Sequence, residues 1–307
     1  MRLTDTLVEE GLTVRETISD FLSDCELRSL AAGTIEWYRQ RLGSLLADIL
    51  DQPISALSLP EIRERIRGVQ NMHSASTVKG YVRAVKTFCY WSLREGNTIV
   101  EPRMLPRIKE PSRLPPTLTP EQVEALLAQP DRKRFTGLRD LAIMAIMLDT
   151  GMRVGEVAQL DLGDLDPPTI TIIGKGNKQR RVAMSQPMQK LLAKYLRARA
   201  RVLQDAGLDV PYLWVSRTGA RLTRWRIAEL VRAYGKSAGI EGVRVSPHTL
   251  RYTYATEFLR AKGNIVHLQQ ILGHTTLAMT RRYIVAVDSD AFEESMRLSP
   301  VAGMKLG

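Results

Sequence analysis

Residues 272–283 read Leu-Gly-His-Thr-Thr-Leu-Ala-Met-Thr-Arg-Arg-Tyr. His274 and Tyr283 are nine positions apart, so one unbroken helix would set them about 180° apart around its axis. They share a face only if the chain breaks between them. Gly273 is suited to end one helix, and Thr275-Thr276 can cap another that carries Tyr283 toward its C-terminal end. By itself Tyr283, one of nine tyrosines, reads equally well as a half-buried packing residue.

Upstream, Ser246-Pro-His-Thr-Leu-Arg251 opens a helix with serine as cap and proline at the first helical position. His248 and Arg251 then share a face, the arginine offering fixed charge and the histidine a proton that titrates near neutrality. A capping histidine beside an unrelated surface arginine fits that segment as well. Earlier still, Thr169–Ile173 and Gln179–Met184 read as two strands joined by a glycine-containing turn, with Lys175 on or beside it. Such a lysine can contact DNA, protonate a departing alkoxide or simply face solvent. In Thr150-Gly-Met-Arg-Val-Gly-Glu156 a turn leads into a helix, which puts Arg153 and Glu156 on one face. The guanidinium can grip two phosphate oxygens while the carboxylate holds it, or the two can form a surface ion pair.

The first hundred residues carry four helix-like stretches and little sign of a strand. Thr13-Val-Arg-Glu16 is a capping box, Thr34 can cap a second helix, Ser58-Leu-Pro-Glu61 opens a third, and a fourth runs from about Ser76 to Arg94. Prolines among charged residues in Glu101–Pro116 disfavour both helix and central strand. The expected organisation is a helical domain over 1–104, a linker over 105–118 and a second domain over 119–307 opened by the Thr119-Pro-Glu-Gln122 capping box. The expected fold class is mainly α with a small β-sheet, and 307 residues suffice for two separate cores.

Charge is divided unevenly between them. Of 44 basic and 33 acidic residues, 15 of each fall in 1–110, leaving 29 basic and 18 acidic in 111–307. The whole excess of +11 therefore lies in the C-terminal two thirds, a field that favours a polyanion such as nucleic acid. Cys25 and Cys89 sit among apolar residues and read as buried thiols. No apolar run is long enough to span a bilayer, and the N-terminus lacks a secretory signal, so a cytoplasmic location is expected. The four histidines show no familiar metal-ligand spacing, which argues against a metal nuclease. Neither a metal nor another cofactor is expected.

Taken in order, TGMRVGE, GKGNKQR, HTLR, LGH and a tyrosine nine residues after the last histidine resemble the signature of the tyrosine recombinases, or phage integrase family. The resemblance covers nearly the whole chain. It implies a SAM-like, helical core-binding domain that binds DNA and a mixed α/β catalytic domain, together clamping double-stranded DNA at a recombination site. It implies a pentad of Arg153, Lys175, His248, Arg251 and His274 about the scissile phosphate, with Tyr283 as nucleophile forming a 3′-phosphotyrosine link. It further implies self-association into a tetramer on two DNA sites, with a tail helix over 288–297 packing on a neighbouring protomer. Because no arm-binding domain precedes Thr13, an Xer-like two-domain layout is expected. Tyr252 departs from the histidine found in many relatives, at a position outside the catalytic set. A type IB topoisomerase and a non-cutting DNA-binding regulator are the competing readings; the LGH motif disfavours the first and the full polar set the second.

Overall fold

Thr13 begins the first helix as its sequence dictates: its hydroxyl accepts the Glu16 N–H, and the Glu16 carboxylate accepts the Thr13 N–H at 2.9 Å. This reciprocal capping satisfies donors that the first turn would otherwise leave open. The computed structural model describes residues 11–97, 100–109, 116–174, 179–274 and 276–284. The chain divides into two units, Met1–Ser112 and Arg113–Gly307.

The first unit consists of α1 (Val14–Leu27), α2 (Ala32–Leu45), α3 (Leu59–Met72) and α4 (Ala75–Arg94), with two short 3₁₀ turns between α2 and α3. Ser58 and Ser74 cap α3 and α4 through their hydroxyls. Thr34 is not the cap of α2. That helix starts two residues earlier, after Ala31, which offers no side-chain cap, and the Thr34 N–H already donates to the Ala31 carbonyl; Ala32, the first helical residue, is of the strongest helix-forming type. Phe21 lies at the centre, with its ring edge-on to Tyr38 at 5.2 Å and to Phe88 at 5.7 Å. Cys25 and Cys89 are free and buried. Burial pushes the Cys89 thiol up to about 12, which leaves it unreactive at neutral pH.

The second unit runs through α5 (Pro120–Ala128), α6 (Phe135–Thr150), α7 (Val154–Gln159), β1 (Leu165–Asp166), β2 (Thr169–Ile173), β3 (Gln179–Ala183), α8 (Gln186–Asp205), α9 (Arg224–Ser237), α10 (Pro247–Arg260), α11 (Ile265–Leu272) and α12 (Leu277–Ile284). The sheet is antiparallel in the order β1-β2-β3. Two of its strands were expected; β1 adds a third because Leu165 and Asp166 pair with Ile170 and Thr169 across a tight turn. Ile170, Ile172 and Val182 turn inward to a core shared with α6, which is buried almost all round. A satellite cluster of Ala255, Leu268, Leu272 and Tyr283 joins α10, α11 and α12. The mainly α class with one small sheet is thus the observed one. The expected tail helix over 288–297 lies outside the described residues.

Candidate active site

Arg153 sits one residue before α7, in extended conformation at the N-cap, and not inside a helix as its spacing to Glu156 suggested. Glu156, at the third helical position, reaches back to it. One carboxylate oxygen accepts the Arg153 backbone N–H at 2.7 Å and the other accepts Nη1 at 3.0 Å. The same carboxylate receives a second arginine: Nη1 and Nη2 of Arg180 donate to its two oxygens at 3.0 and 2.8 Å. Burial alone would raise the Glu156 pKa, but the hydrogen bonds from Arg180 and from the Arg153 N–H outweigh it and hold the carboxyl below its usual range.

Ser246 caps α10, with Pro247 in the first turn. This start aims His248 and Arg251 into the same cleft. The Arg251 guanidinium is buried and pinned by backbone: Nη1 donates to the Gly151 carbonyl at 2.6 Å and Nη2 to that of Leu272 at 2.7 Å. Nη2 also lies 3.1 Å from Nε2 of His274. Guanidinium can only donate, so Nε2 accepts and the imidazole proton resides on Nδ1, which donates to Thr280 Oγ1 at 2.9 Å.

The break expected between His274 and Tyr283 is present. Gly273 closes α11 in the left-handed conformation at φ 63°, and α12 begins at Leu277. The result brings the two rings together, parallel within 6° and 6.1 Å apart. Tyr283 is only 3% exposed, and its ring also lies 5.6 Å from that of Tyr252. Tyr252 in turn lies 6.4 Å from His248. The departure at position 252 therefore touches the site directly, as part of a run of four rings.

Arg153, Glu156, Arg180, His248, Arg251, Gly273 and His274 line one open cleft of about 1380 Å³, with Arg221 and Arg224 farther along its wall. Five arginines face one carboxylate in that lining, so the cleft is built to receive an anion. Burial, followed by the Arg251 and Arg153 charges, lowers the His248 pKa and keeps the ring neutral at pH 7. Burial and Arg153 bring Arg251 down to about 10, opposed by Tyr283 and Glu156; the group stays charged at neutral pH. Lys175 lies outside the described residues, between β2 and β3 in sequence.

Sequence reasoning missed Arg180 and Thr280. Arg180 pairs with Ile172 and stands two residues from Val182, so a charge on the buried face of an alternating strand was the available signal. Thr280 gave none, because its contact depends on where the second helix docks.

The family model described as the phage integrase family matches residues 116–289. The chain belongs to the phage integrase family. Among relatives, it is 32% identical over 275 residues to the tyrosine recombinase XerD of Lacticaseibacillus casei, covering 87% of this chain and 92% of that one. It is 34% identical over 262 residues to XerD of Ralstonia nicotianae, covering 83% and 84%. The crystal structure of XerA recombinase matches 93% of this chain and 98% of its own at 30% identity, with a TM-score of 0.52. XerH bound to a palindromic difH substrate, in a post-cleavage complex, covers 92% and 84% at 21% identity with a TM-score of 0.71, a likeness of fold. As a phage integrase family member this chain is a tyrosine recombinase, an enzyme that cleaves and rejoins DNA strands at specific sites through a phosphotyrosine intermediate. Among the described residues, no helix is long and apolar enough to cross a membrane.

Proposed function

We propose that the cleft formed by Arg153, His248, Arg251 and His274 holds the scissile phosphate of a double-stranded recombination site and that Tyr283 attacks it. The observation that carries this reading is the convergence of these four groups on one cleft, with the Tyr283 ring stacked on His274. Attack forms the Tyr283 Oη–phosphorus bond and breaks the bond to the 5′ oxygen, leaving a 3′-phosphotyrosine ester. His248, neutral at pH 7, takes the phenol proton, and Lys175 returns one to the 5′ oxygen. Arg153 and Arg251 neutralise the extra charge of the five-coordinate phosphorane. His274 contributes a hydrogen bond once its proton moves to Nε2, and the Thr280 hydroxyl serves either tautomer because it can accept or donate. The ester retains the energy of the broken bond, so a 5′ hydroxyl from another strand reverses the step on a new partner without ATP.

The helical domain over 1–104 supplies further DNA contacts. Four protomers on two sites, coupled through the tail after Tyr283, carry out the exchange in the cytoplasm, where the DNA lies. The attack needs the Tyr283 hydroxyl to turn from its buried seat into the cleft. Incubation with a random-sequence duplex library, followed by denaturing electrophoresis, tests the assignment. Wild type is expected to retain covalently bound DNA and Tyr283→Phe to retain none while still binding duplex; an equal adduct from Tyr283→Phe removes Tyr283 from the role.

A further inference from the structure

Arg180 is held by groups on two other elements. Its Nη1 and Nη2 engage both oxygens of Glu156 on α7, and Nε donates to the Ile271 carbonyl at 2.8 Å, in the last turn of α11. Its side chain is 13% exposed and that of Glu156 9%, whereas the Arg153 side chain is 39% exposed. Glu156 therefore receives four hydrogen bonds, two from each arginine, which fills a carboxylate's accepting capacity.

The charges decide what this arrangement does. A buried carboxylate beside Arg153 alone would form a closed ion pair and cancel the field that Arg153 offers an anion. Arg180, paired bidentately with the same carboxylate, supplies the compensating charge. Arg153 then keeps a surplus positive charge and an exposed flank toward the cleft. Arg180 acts on the far wall as well. Ile271 and Leu272 carry adjacent carbonyls at the end of α11, and Arg180 caps the first while Arg251 caps the second. Cations there complement the helix dipole and fix the point from which Gly273 and His274 leave. Gly273 packs over the same guanidinium: a Cβ on it would lie 3.2 Å from Arg180 Nη1.

We infer that Arg180 is a positioning residue for strand cleavage, the counter-ion that neutralises Glu156 so that Arg153 remains available to the phosphate. The inference rests on the proposed assignment of the cleft as the phosphate site. Its test uses the full-length chain and a nicked duplex carrying a sequence recovered by covalent trapping from the random library. Adduct formation by wild type and its absence in Tyr283→Phe establish the underlying reading independently. At saturating duplex, Arg180→Met is expected to cleave about tenfold more slowly or worse, with duplex affinity little changed. Glu156→Gln added to Arg180→Met removes the carboxylate that would otherwise close on Arg153, and is expected to recover most of the lost rate. A strut with a merely structural role gives the opposite, since the second substitution then deepens the defect. Wild-type cleavage by Arg180→Met, or a double variant no faster than the single, overturns the inference. If Arg180→Met fails to fold, Arg180→Gln, which also removes the charge but keeps a polar side chain, is read with and without Glu156→Gln by the same two outcomes.

Discussion

His248 shows how one residue's surroundings set its chemistry. Burial and two neighbouring guanidinium groups lower its pKa below the ordinary 6.5. The folded chain then binds fewer protons here than the unfolded chain over the interval between the two values. The contribution of this site to stability is complete above about 6.5 and is lost as pH falls toward the lowered folded value. Chemical denaturation of wild type and His248→Asn between pH 7.5 and 5 checks the sign: the wild-type midpoint should fall more steeply with acid. With His248 in the proposed role of acceptor for the Tyr283 proton, the same shift predicts an acid limb of strand cleavage below pH 6.5, read from the pH profile of adduct formation. Tyr252, legible in the sequence only as an unusual neighbour of Arg251, makes ring contacts with both His248 and Tyr283.

Among the elements, the turns that join helices do more to place the site than the helices themselves. Gly151 ends α6 at φ 63°, and its carbonyl receives Arg251. A Cβ there would collide with the Tyr254 ring and come within 2.9 Å of Leu272. Gly151→Ala combines left-handed strain of about 1–2 kcal/mol with an overpacking cost of similar size. It should lower the thermal midpoint by several degrees and slow cleavage, because the strained turn displaces the residue-151 carbonyl that anchors Arg251; calorimetry and the adduct assay report the two effects separately. Gly273 plays the equivalent part at the end of α11. The αL stop was readable from Leu-Gly-His, but its packing against Arg180 was not.

At the scale of the whole molecule, each unit has a hydrophobic core drawn from its own residues, one between Val14 and Leu105 and one between Leu118 and Leu250. The basic excess belongs to the second stretch of sequence, and the arginine-lined cleft is found in that unit. If the protein tracks the DNA backbone through six or more phosphates, duplex affinity should fall about a thousandfold or more between 50 and 200 mM salt. A fluorescence-anisotropy titration with a flat salt response would contradict that expectation.

The sequence by itself determined the caps at Thr13, Ser58, Thr119 and Ser246, the charge asymmetry, and the glycine break that lets His274 and Tyr283 meet. These are local matters, set by backbone preference and spacing within a few residues. Beyond the Glu156 carboxylate that spacing already offered to Arg153, only the tertiary structure decided which groups hold Arg153, Arg251 and His274 in place. Arg180, Glu156, Thr280 and the carbonyls of Gly151 and Leu272 come from different elements. A hydrogen bond between residues as far apart as 151 and 251 has no period or cap to announce it. It exists because the core packs α6, α10 and α11 so that buried guanidinium groups find the partners that burial requires.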